Sequence, residues 1–452
     1  MNYLKKFSRY ASGSAALLAI SLMTSGVFKM SAFAREAFIA AKFGLSAVTD
    51  AYFGLQQFPL ALASFMFGAF SLAFTPAYEN EQRRSSGTVE WLPGLLFYSG
   101  ALGTVLMVLM IVGAPYLLQL IHTPDTREVR NTVVLLGVCF LPIIWIGIWK
   151  GICSARGQNL WASSLPGLPY LIMTVVLVGS YAIGRLSNLS LPVSLTAGFA
   201  AVGLYSLVRI GRSQHFLRGG APVVAVWKIP QCRHFLRQLG ASAVENAGFI
   251  ANQSLLLYFL ARLGTGVISA NNCAMRIGML GYTLLSMPLI SLVQGRLCSA
   301  DDKDKPIVFR RWLTVHATLQ LLFAFAACAL RFPLLRLVYM HGKFGGTELA
   351  EVAHILPAWI GYSVVMSLSE LSANYLFIRS KGVHYMQIRL CAYVAANLLR
   401  IAVAATASAA TIIWCSVIIE AFVLVLNLRT CLAESKPRLA VSTAAMAAVS
   451  AT

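Results

Sequence analysis

Three cationic side chains, Lys29, Arg35 and Arg276, interrupt long apolar stretches of the sequence. Lys29 and Arg35 are six residues apart, so one helix would carry both within two turns. A cation at the centre of a bilayer costs about 2.5–3.5 kcal/mol on insertion scales, and such residues usually face a water-filled cavity or a partner. Phosphate and diphosphate groups suit such a cluster because an arginine fork can bind two oxygens. These cations therefore predict a site for an anionic, phosphorylated ligand inside a membrane.

Acids near these cations allow a second interpretation. Glu36 adjoins Arg35, and Asp50 begins the next apolar stretch. An ion pair with an acid, without any ligand, is therefore the alternative for Arg35. Arg400 also falls in an apolar stretch, but near its end, where we expect the long side chain to reach the membrane surface.

Further acids lie within apolar stretches, at Glu245, Glu370 and Glu420. Each could hold a proton or a coupling cation, and each could equally pair with a cation of the protein. Together with the amides of Asn246 and Asn397, Glu245 and Glu420 could form an oxygen-rich site for a monovalent coupling ion.

The overall composition is that of a membrane protein. Of the 452 residues, 58% are hydrophobic and only 12% are charged, with a mean hydropathy of +0.72. Soluble proteins carry about twice that charged fraction, and disorder requires low hydrophobicity. The net charge of +20 does not indicate a nucleic-acid partner, because no long polar surface remains to follow phosphates. The nine cysteines include no C-x-x-C pair, so we expect buried thiols and no metal site.

The apolar stretches are long enough to cross a bilayer as helices. They lie at about 13–41, 50–78, 91–121, 131–152, 159–183, 190–210, 235–261, 267–297, 311–340, 350–378, 386–407 and 409–428. We predict an all-α polytopic membrane protein with about 12 (12–13) transmembrane helices in two pseudo-symmetric six-helix bundles around a central cationic cavity. The N-terminal bundle would cover 1–212, a cytoplasmic linker 213–232, the C-terminal bundle 233–430, and a cytoplasmic tail or partial thirteenth helix 431–452.

The basic residues between the spans predict the orientation. If the N-terminus is cytoplasmic, the cytoplasmic connections carry about three times as many Lys and Arg residues as the opposite side, in agreement with the positive-inside rule. An even number of spans then leaves both termini in the cytoplasm. A weak internal repeat supports two related halves, because residues 43–52 resemble residues 263–272. Duplicated halves are a recurrent plan of transporters.

Several motifs of the first half are specific. The run R-E-A-F-I-A-A-K-F-G begins at Arg35, and V-T-D-A-Y at 48–52 and G-A-F-S-L-A-F-T-P at 68–76 follow it. This series resembles the MurJ/MviN family, which shows R-[DE]-x-x-x-A-x-x-F-G, T-D-A-[FY] and G-A-F-S-x-A-F-x-P. The segment Gly342-Lys343-Phe344 resembles a Y-G-K-F segment of the same family. The family belongs to the multidrug/oligosaccharidyl-lipid/polysaccharide exporter superfamily.

The resemblance implies a flippase of the bacterial inner membrane. Its substrate would be an undecaprenyl-diphosphate-linked saccharide, chiefly lipid II, which peptidoglycan or exopolysaccharide synthesis uses outside the cell. Lys29, Arg35, Asp50 and Arg276 would line the central cavity and bind it. Alternating access would move the headgroup without making or breaking a bond, so we expect no enzyme activity and no cofactor. A coupling monovalent cation or the membrane potential would drive a protein that we expect to be a monomer.

Lys29 stands where the family usually has arginine, which keeps the charge but loses the bidentate geometry. Two other departures concern the substrate. The stretch Leu62-Ala63-Ser64-Phe65 lacks a basic pair that the family carries there, and the family usually has fourteen helices, the last two forming a groove for the lipid tail, whereas twelve or thirteen are predicted here. These two departures favour a divergent relative, such as one that serves an exopolysaccharide pathway.

Two other functions remain as alternatives. A multidrug exporter of the same superfamily would carry cations and prefer acids in its cavity. A membrane glycosyltransferase or polymerase could use the D-x-D form of Asp302-Lys303-Asp304, although these residues are more typical of a solvated charge cluster. No P-loop and no H-E-x-x-H pair accompanies them.

Overall fold

The computed structural model describes residues 27–433, except 29, 85–88, 90, 157, 214–229, 287–288, 291–292, 294–296, 298–299, 302 and 380. Regular structure in this part of the chain is entirely helical, which confirms the predicted all-α class. Lys29, most of the predicted linker at 213–232 and most of the tail at 431–452 lie outside the described residues, and their roles stay predictions.

The helices follow one another with short connections. Their bounds are α1, 27–43 without residue 29; α2, Ala47–Phe65; α3, Ser71–Arg84; α4, Leu92–Val112; α5, Ala114–Leu120; α6, Arg127–Val138; α7, Phe140–Ala155; α8, Asn159–Ser164; α9, Leu168–Ala182; α10, Ser190–Ser213; α11, Pro230–Ala261; α12, Val267–Gly278; α13, Lys305–Ala329; α14, Arg331–Tyr339; α15, Gly346–Ile378; α16, Gly382–Val403; and α17, Ala409–Ala433. Two π-helical segments, Met66–Phe70 and Tyr282–Ser286, follow α2 and α12.

The predicted apolar spans coincide with these helices. Within the described residues, seven stretches are both long and apolar enough to cross a membrane: Leu92–Val112, Arg127–Ala155, Ser190–Arg212, Lys305–Ala329, Gly346–Ile378, His384–Val403 and Ala409–Leu432. The described helices therefore agree in length and composition with a multi-pass membrane protein, and the count of twelve spans stays a prediction.

The chain forms two compact units. Unit 1 contains Met1–Cys273 and Leu335–Val352, and unit 2 contains Ala274–Leu334 and Ala353–Thr452. The sequence-based division into bundles at 213–232 differs from this one, because unit 1 extends through α11 into α12. The predicted bundles and the central cavity stay predictions.

In unit 1, a rod formed by α2, the first π-helical segment and α3 packs against α7. Glycines on α7 allow the close approach, since a Cβ added at Gly151 would lie 2.4 Å from Cδ1 of Phe74. The π-helical segment leaves the Phe67 carbonyl available to a side chain, and Lys150 of α7 donates a hydrogen bond to it. The rod is thereby held along its length by one neighbouring helix.

In unit 2, the second π-helical segment is held in a similar way. Gln320 of α13 donates from Nε2 to the Gly281 carbonyl at 3.1 Å and to the Ser286 hydroxyl at 2.6 Å. An apolar cluster lies nearby in the chain, where the rings of Phe309 and Tyr375 stack with centroids 4.5 Å apart. In each unit, a polar side chain from an adjacent helix therefore donates a hydrogen bond to a backbone carbonyl in or next to the π-helical segment.

The end of α1 contacts the Gly342-Lys343-Phe344 segment, within unit 1. The Lys343 N–H donates to the Ala41 carbonyl at 2.9 Å, which satisfies one of the free carbonyls at the helix end. Gly342 has φ +67°, and a Cβ there would lie only 2.1 Å from the Ala41 oxygen. The close approach of these two backbones therefore requires glycine at this position.

We expect Gly342→Ala to destabilise the protein strongly. The matched control is Gly184→Ala, because Gly184 has φ +69° but no atom within 4 Å of an added Cβ. The control isolates backbone strain, about 1–2 kcal/mol, whereas Gly342→Ala should cost a further ~1–3 kcal/mol through steric overlap. The unfolding midpoints of both variants in detergent test this, and equal midpoints would contradict it.

Candidate functional site

Asp50 joins the first turn of α2 to the start of α12, within unit 1. The helix α2 begins after Ser46, whose side chain forms a capping box with Thr49 and leaves Asp50 in the first turn. The Asp50 Oδ1 accepts hydrogen bonds from the Ser269 N–H at 2.8 Å and the Ser269 hydroxyl at 2.6 Å, and Oδ2 accepts from the Gly266 N–H at 2.5 Å. The carboxylate is buried, so these donors and the positive end of the α12 dipole replace its hydration.

The same contact brings matched positions of the two halves together. The hydroxyl of Ser269 lies 2.9 Å from that of Thr49, and these residues occupy equivalent places in the repeat. Gly44 and Gly264 are likewise equivalent, and both adopt positive φ, +67° and +132°. The repeat is weak in sequence, but the backbone conformation at the two equivalent turns supports it.

Arg35 is buried in an ion pair with its neighbour Glu36. Its Nη2 lies 2.6 Å from the Glu36 Oε1, and its Cζ lies 5.0 Å from the ring centroid of Tyr170. The other Glu36 oxygen accepts a hydrogen bond from the Asn272 amide of α12 at 3.2 Å. Only 3% of Arg35 is exposed. Its ion pair with Glu36 is the arrangement that the sequence indicates as the alternative to a bound ligand. A role of Arg35 in binding a ligand stays a prediction.

The predicted cavity residues are thus only partly assembled by the described contacts. Arg35, through Glu36, and Asp50 both contact α12, at Asn272 and Ser269. Arg276 follows in the same helix and is half-buried, but it belongs to unit 2. The meeting of Lys29 and Arg276 with Arg35 and Asp50 stays a prediction.

A polar cavity of about 340 Å³ opens beside Asp50. Sequence reasoning did not identify two of its lining residues, His122 and Arg262, because both fall in connections between helices. His122 has φ +47°, which is rare for a residue with a side chain, and its ring lies 5.8 Å from that of Tyr258. The donors around Asp50 therefore border a space that water can enter.

The residues predicted for a coupling ion have other partners. Glu420 forms a buried ion pair with Arg389, and the Asn397 Oδ1 accepts a hydrogen bond from Arg400 Nη1 at 2.7 Å. Glu245 is half-buried and belongs to unit 1, whereas the other two belong to unit 2. Whether these three residues hold a coupling ion therefore stays a prediction, and the described contacts give it no support.

The structure differs from the prediction for Arg400. We expect this residue at the membrane surface, but it is 1% exposed within α16, where Arg389 is likewise buried at 6%. The spacing of Arg389, Tyr393, Asn397 and Arg400 puts them on one helical face, and that periodicity was the available signal. Partner side chains on α17 explain why the cations stay buried.

A family model described as lipid II flippase MurJ matches residues 39–449. The chain belongs to the MurJ family. This membership confirms the resemblance and makes the protein a multi-pass protein of the bacterial inner membrane with a lipid-linked substrate. No curated protein sequence matches the chain.

Solved structures agree with the family at the level of the fold. A lipid II flippase MurJ in an inward closed conformation has a TM-score of 0.76 at 16% identity, covering 92% of this chain and 87% of that one. An inward-facing multidrug resistance MATE transporter of the MOP superfamily has a TM-score of 0.70 at 12% identity, covering 92% and 98%. The Vibrio cholerae MATE transporter VcmN, in a bent form, has a TM-score of 0.58 at 12% identity, covering 94% and 99%. This chain therefore shares its fold with these solved transporters.

The residues proposed for a sugar-nucleotide metal give no support to an enzyme. Asp302 lies outside the described residues, and Asp304 precedes α13 as an exposed side chain. In the part of the chain that the structure describes, no group of three His, Cys, Asp or Glu side chains could hold a metal ion.

We expect Asp50 and Ser269 to be energetically coupled. Asp50→Asn removes the charge that faces the helix N-terminus, and Ser269→Ala removes one of its donors. Hydrogen bonds to a charged group contribute about 1.5–3 kcal/mol. A double-mutant cycle on unfolding should therefore give a coupling of at least ~1 kcal/mol.

The matched control is Asp125→Asn. Asp125 pairs with Arg130 at 2.5 Å on the surface, where the ion pair is exposed and screened. Its substitution should leave the unfolding midpoint unchanged. Additive effects of Asp50→Asn and Ser269→Ala would show that the contact does not hold α12.

Proposed function

We propose that this protein flips an undecaprenyl-diphosphate-linked saccharide, lipid II or a related precursor of peptidoglycan or exopolysaccharide, from the cytoplasmic to the outer leaflet. The observation that carries the proposal is the MurJ family match over residues 39–449. The substrate's headgroup would cross inside the protein while the polyprenyl chain stays in the bilayer. No bond is made or broken, so the protein acts as a transporter and not as an enzyme.

The Asp50 contact supplies a gate for alternating access. It joins α2 to α12 through hydrogen bonds, next to a cavity that water can enter. Water can replace such bonds at a modest net cost, whereas an extensive apolar interface would not reopen readily. In the proposed cycle, the contact holds the outer end closed and breaks when that end opens.

The Arg35–Glu36 pair supplies the first anion contact. Among the described residues, the Arg35 Nε has no hydrogen-bond partner, so a donor remains inside the pair. A diphosphate carries more charge than one carboxylate and can compete for the guanidinium. We propose that the substrate draws Arg35 from Glu36, with Lys29 and Arg276 as further cationic contacts.

The membrane potential provides a driving force. With the cytoplasm negative, outward movement of an anion is favoured by about 2.3 kcal/mol per charge per 100 mV. We propose that both termini lie in the cytoplasm and that the protein acts as a monomer.

A multidrug exporter is less well supported as the second candidate. The similarity to MATE transporters concerns the fold alone. The cations within the apolar stretches of the sequence, Lys29, Arg35 and Arg276, disfavour a cationic substrate, because like charges repel.

Complementation tests the function directly. Expression of the chain in cells depleted of their own lipid II flippase should restore growth. A chain that inserts normally but fails to rescue would overturn the lipid II assignment, and restoration of exopolysaccharide export in a matching mutant would assign the related precursor instead.

Removal of the Arg35 guanidinium should abolish flipping without unfolding the protein. Arg35→Ala alone would leave Glu36 buried and unpaired, which costs stability. The double variant Arg35→Ala/Glu36→Gln removes both charges, and we expect it to insert and fold while lowering flipping at least tenfold, about 1.4 kcal/mol.

The control is Arg336→Ala, at an exposed position in α14. Flipping of lipid II in proteoliposomes is the measurement, with unfolding midpoints recorded in parallel. Wild-type flipping by the double variant would remove Arg35 from the substrate site.

A further inference from the structure

The buried oxygens that the sequence offered to a coupling ion bind arginines of the chain itself. Asn397 on α16 and Glu420 on α17 are the two such residues in unit 2. Each has an arginine as its partner, Arg400 and Arg389 respectively. A monovalent metal ion at these oxygens would have to displace a guanidinium in both cases.

Arg400 is placed as a bound cation would be. Its Nη1 donates to the Asn397 Oδ1 at 2.7 Å, and its Nη2 donates to the Ser416 hydroxyl at 2.5 Å. These oxygens come from α16 and α17, so one guanidinium bridges the helix pair. The side chain is 1% exposed, which leaves it no route to bulk water at this point of the fold.

Arg389 binds the second of these oxygen-bearing residues, Glu420. It pairs with Glu420, and both side chains are less than one-tenth exposed. Its Cζ also lies 5.2 Å from the ring centroid of Tyr393, which adds a favourable cation–π contact. The only acid among the buried residues described in α16 and α17 is therefore already neutralised.

The occupied oxygens disfavour a further cation. The buried ionisable side chains described in α16 and α17 are two arginines and one glutamate, and this glutamate is already paired. An entering ion would compete with Arg389 for the carboxylate and with Arg400 for the amide and hydroxyl oxygens. Alkali-metal sites instead require several oxygens without a competing cation.

We infer that Arg400 is a built-in cation of the helix pair α16–α17, and that this chain transports its substrate without a monovalent metal ion bound at Asn397 and Glu420. The inference rests on the proposed flippase function and concerns the source of energy for flipping. The membrane potential then acts on the anionic substrate directly, while Arg400 fixes the pair of helices that a coupling ion would otherwise join.

The first experiment uses the wild-type protein. Proteoliposomes containing lipid II are given a potential with potassium and valinomycin, with either sodium or N-methylglucamine as the other cation. We expect flipping to rise with the potential, by up to about 50-fold per charge moved for 100 mV, and to be equal in the two media. A requirement for sodium would overturn the inference.

A binding measurement decides the question independently of flipping. The unfolding midpoint of the wild-type protein should be the same in sodium, lithium and N-methylglucamine at constant ionic strength. A selective rise in sodium would show a bound ion and overturn the inference. The unfolding measurement does not use the substrate. If lipid II flipping were absent in every medium, that result would therefore count against the proposed function but not against this inference.

Variants at Arg400 test the role of the guanidinium itself. Arg400→Ala should lower the unfolding midpoint. Guanidinium ion at millimolar concentration should restore part of this loss, and so should sodium if it enters the oxygen site that the side chain vacates. The exposed Arg311 of α13 provides the matched control, and Arg311→Ala should show no such recovery.

A conservative variant allows the test to be made even if Arg400→Ala does not fold. Arg400→Lys keeps the charge and should retain an unfolding midpoint between those of the wild type and Arg400→Ala. If Arg400→Ala cannot be purified, the wild-type midpoints and Arg400→Lys still decide. An Arg400→Lys variant that is as stable as the wild type and becomes sodium-dependent would overturn the inference.

Discussion

The structure depends on one constraint: a charge held within a bilayer must find its partners in the same chain. Each partner then fixes the position of the helix that carries it. Asp50 holds the start of α12 through Ser269 and Gly266, and Glu36 holds the same helix one turn later through Asn272. Arg389 and Arg400 fix α17 against α16 in the same way. Apolar packing alone would permit sliding, because lipid is as apolar as a leucine side chain.

The same constraint explains how these contacts can serve transport. A buried polar contact is costly when it is left unpaired, but it can exchange partners when another group of the right charge or water arrives. The contacts in unit 1 meet this condition, because Asp50 borders a polar cavity and Arg35 retains an unused donor among the described residues. The arginines of α16 instead bind side chains of α16 and α17, so they are suited to hold this helix pair together.

The helices could be predicted from the sequence because long apolar runs fix both the period and the length of a span. The buried cation at Arg35 could be predicted for the same reason. Whether Arg35 pairs with an acid of the chain or binds a ligand could not be predicted, because this depends on the positions of Glu36 and Asn272 in the fold. The burial of Arg400 could not be predicted, because hydropathy assigns a charge near a span's end to the surface and its partner Ser416 lies on the next helix, 16 residues away. The partner of Asp50 lies 219 residues away, beyond any local pattern.

The distribution of these charges also bears on the substrate. In unit 1, Arg35 and Glu36 form a neutral pair that contacts α12. The guanidinium of such a pair becomes available only when another anion replaces the acid, so the pair discriminates by charge. A diphosphate headgroup can make this exchange with Arg35, and a cationic drug cannot. The buried charges, more than the net charge of the chain, therefore favour an anionic lipid-linked substrate.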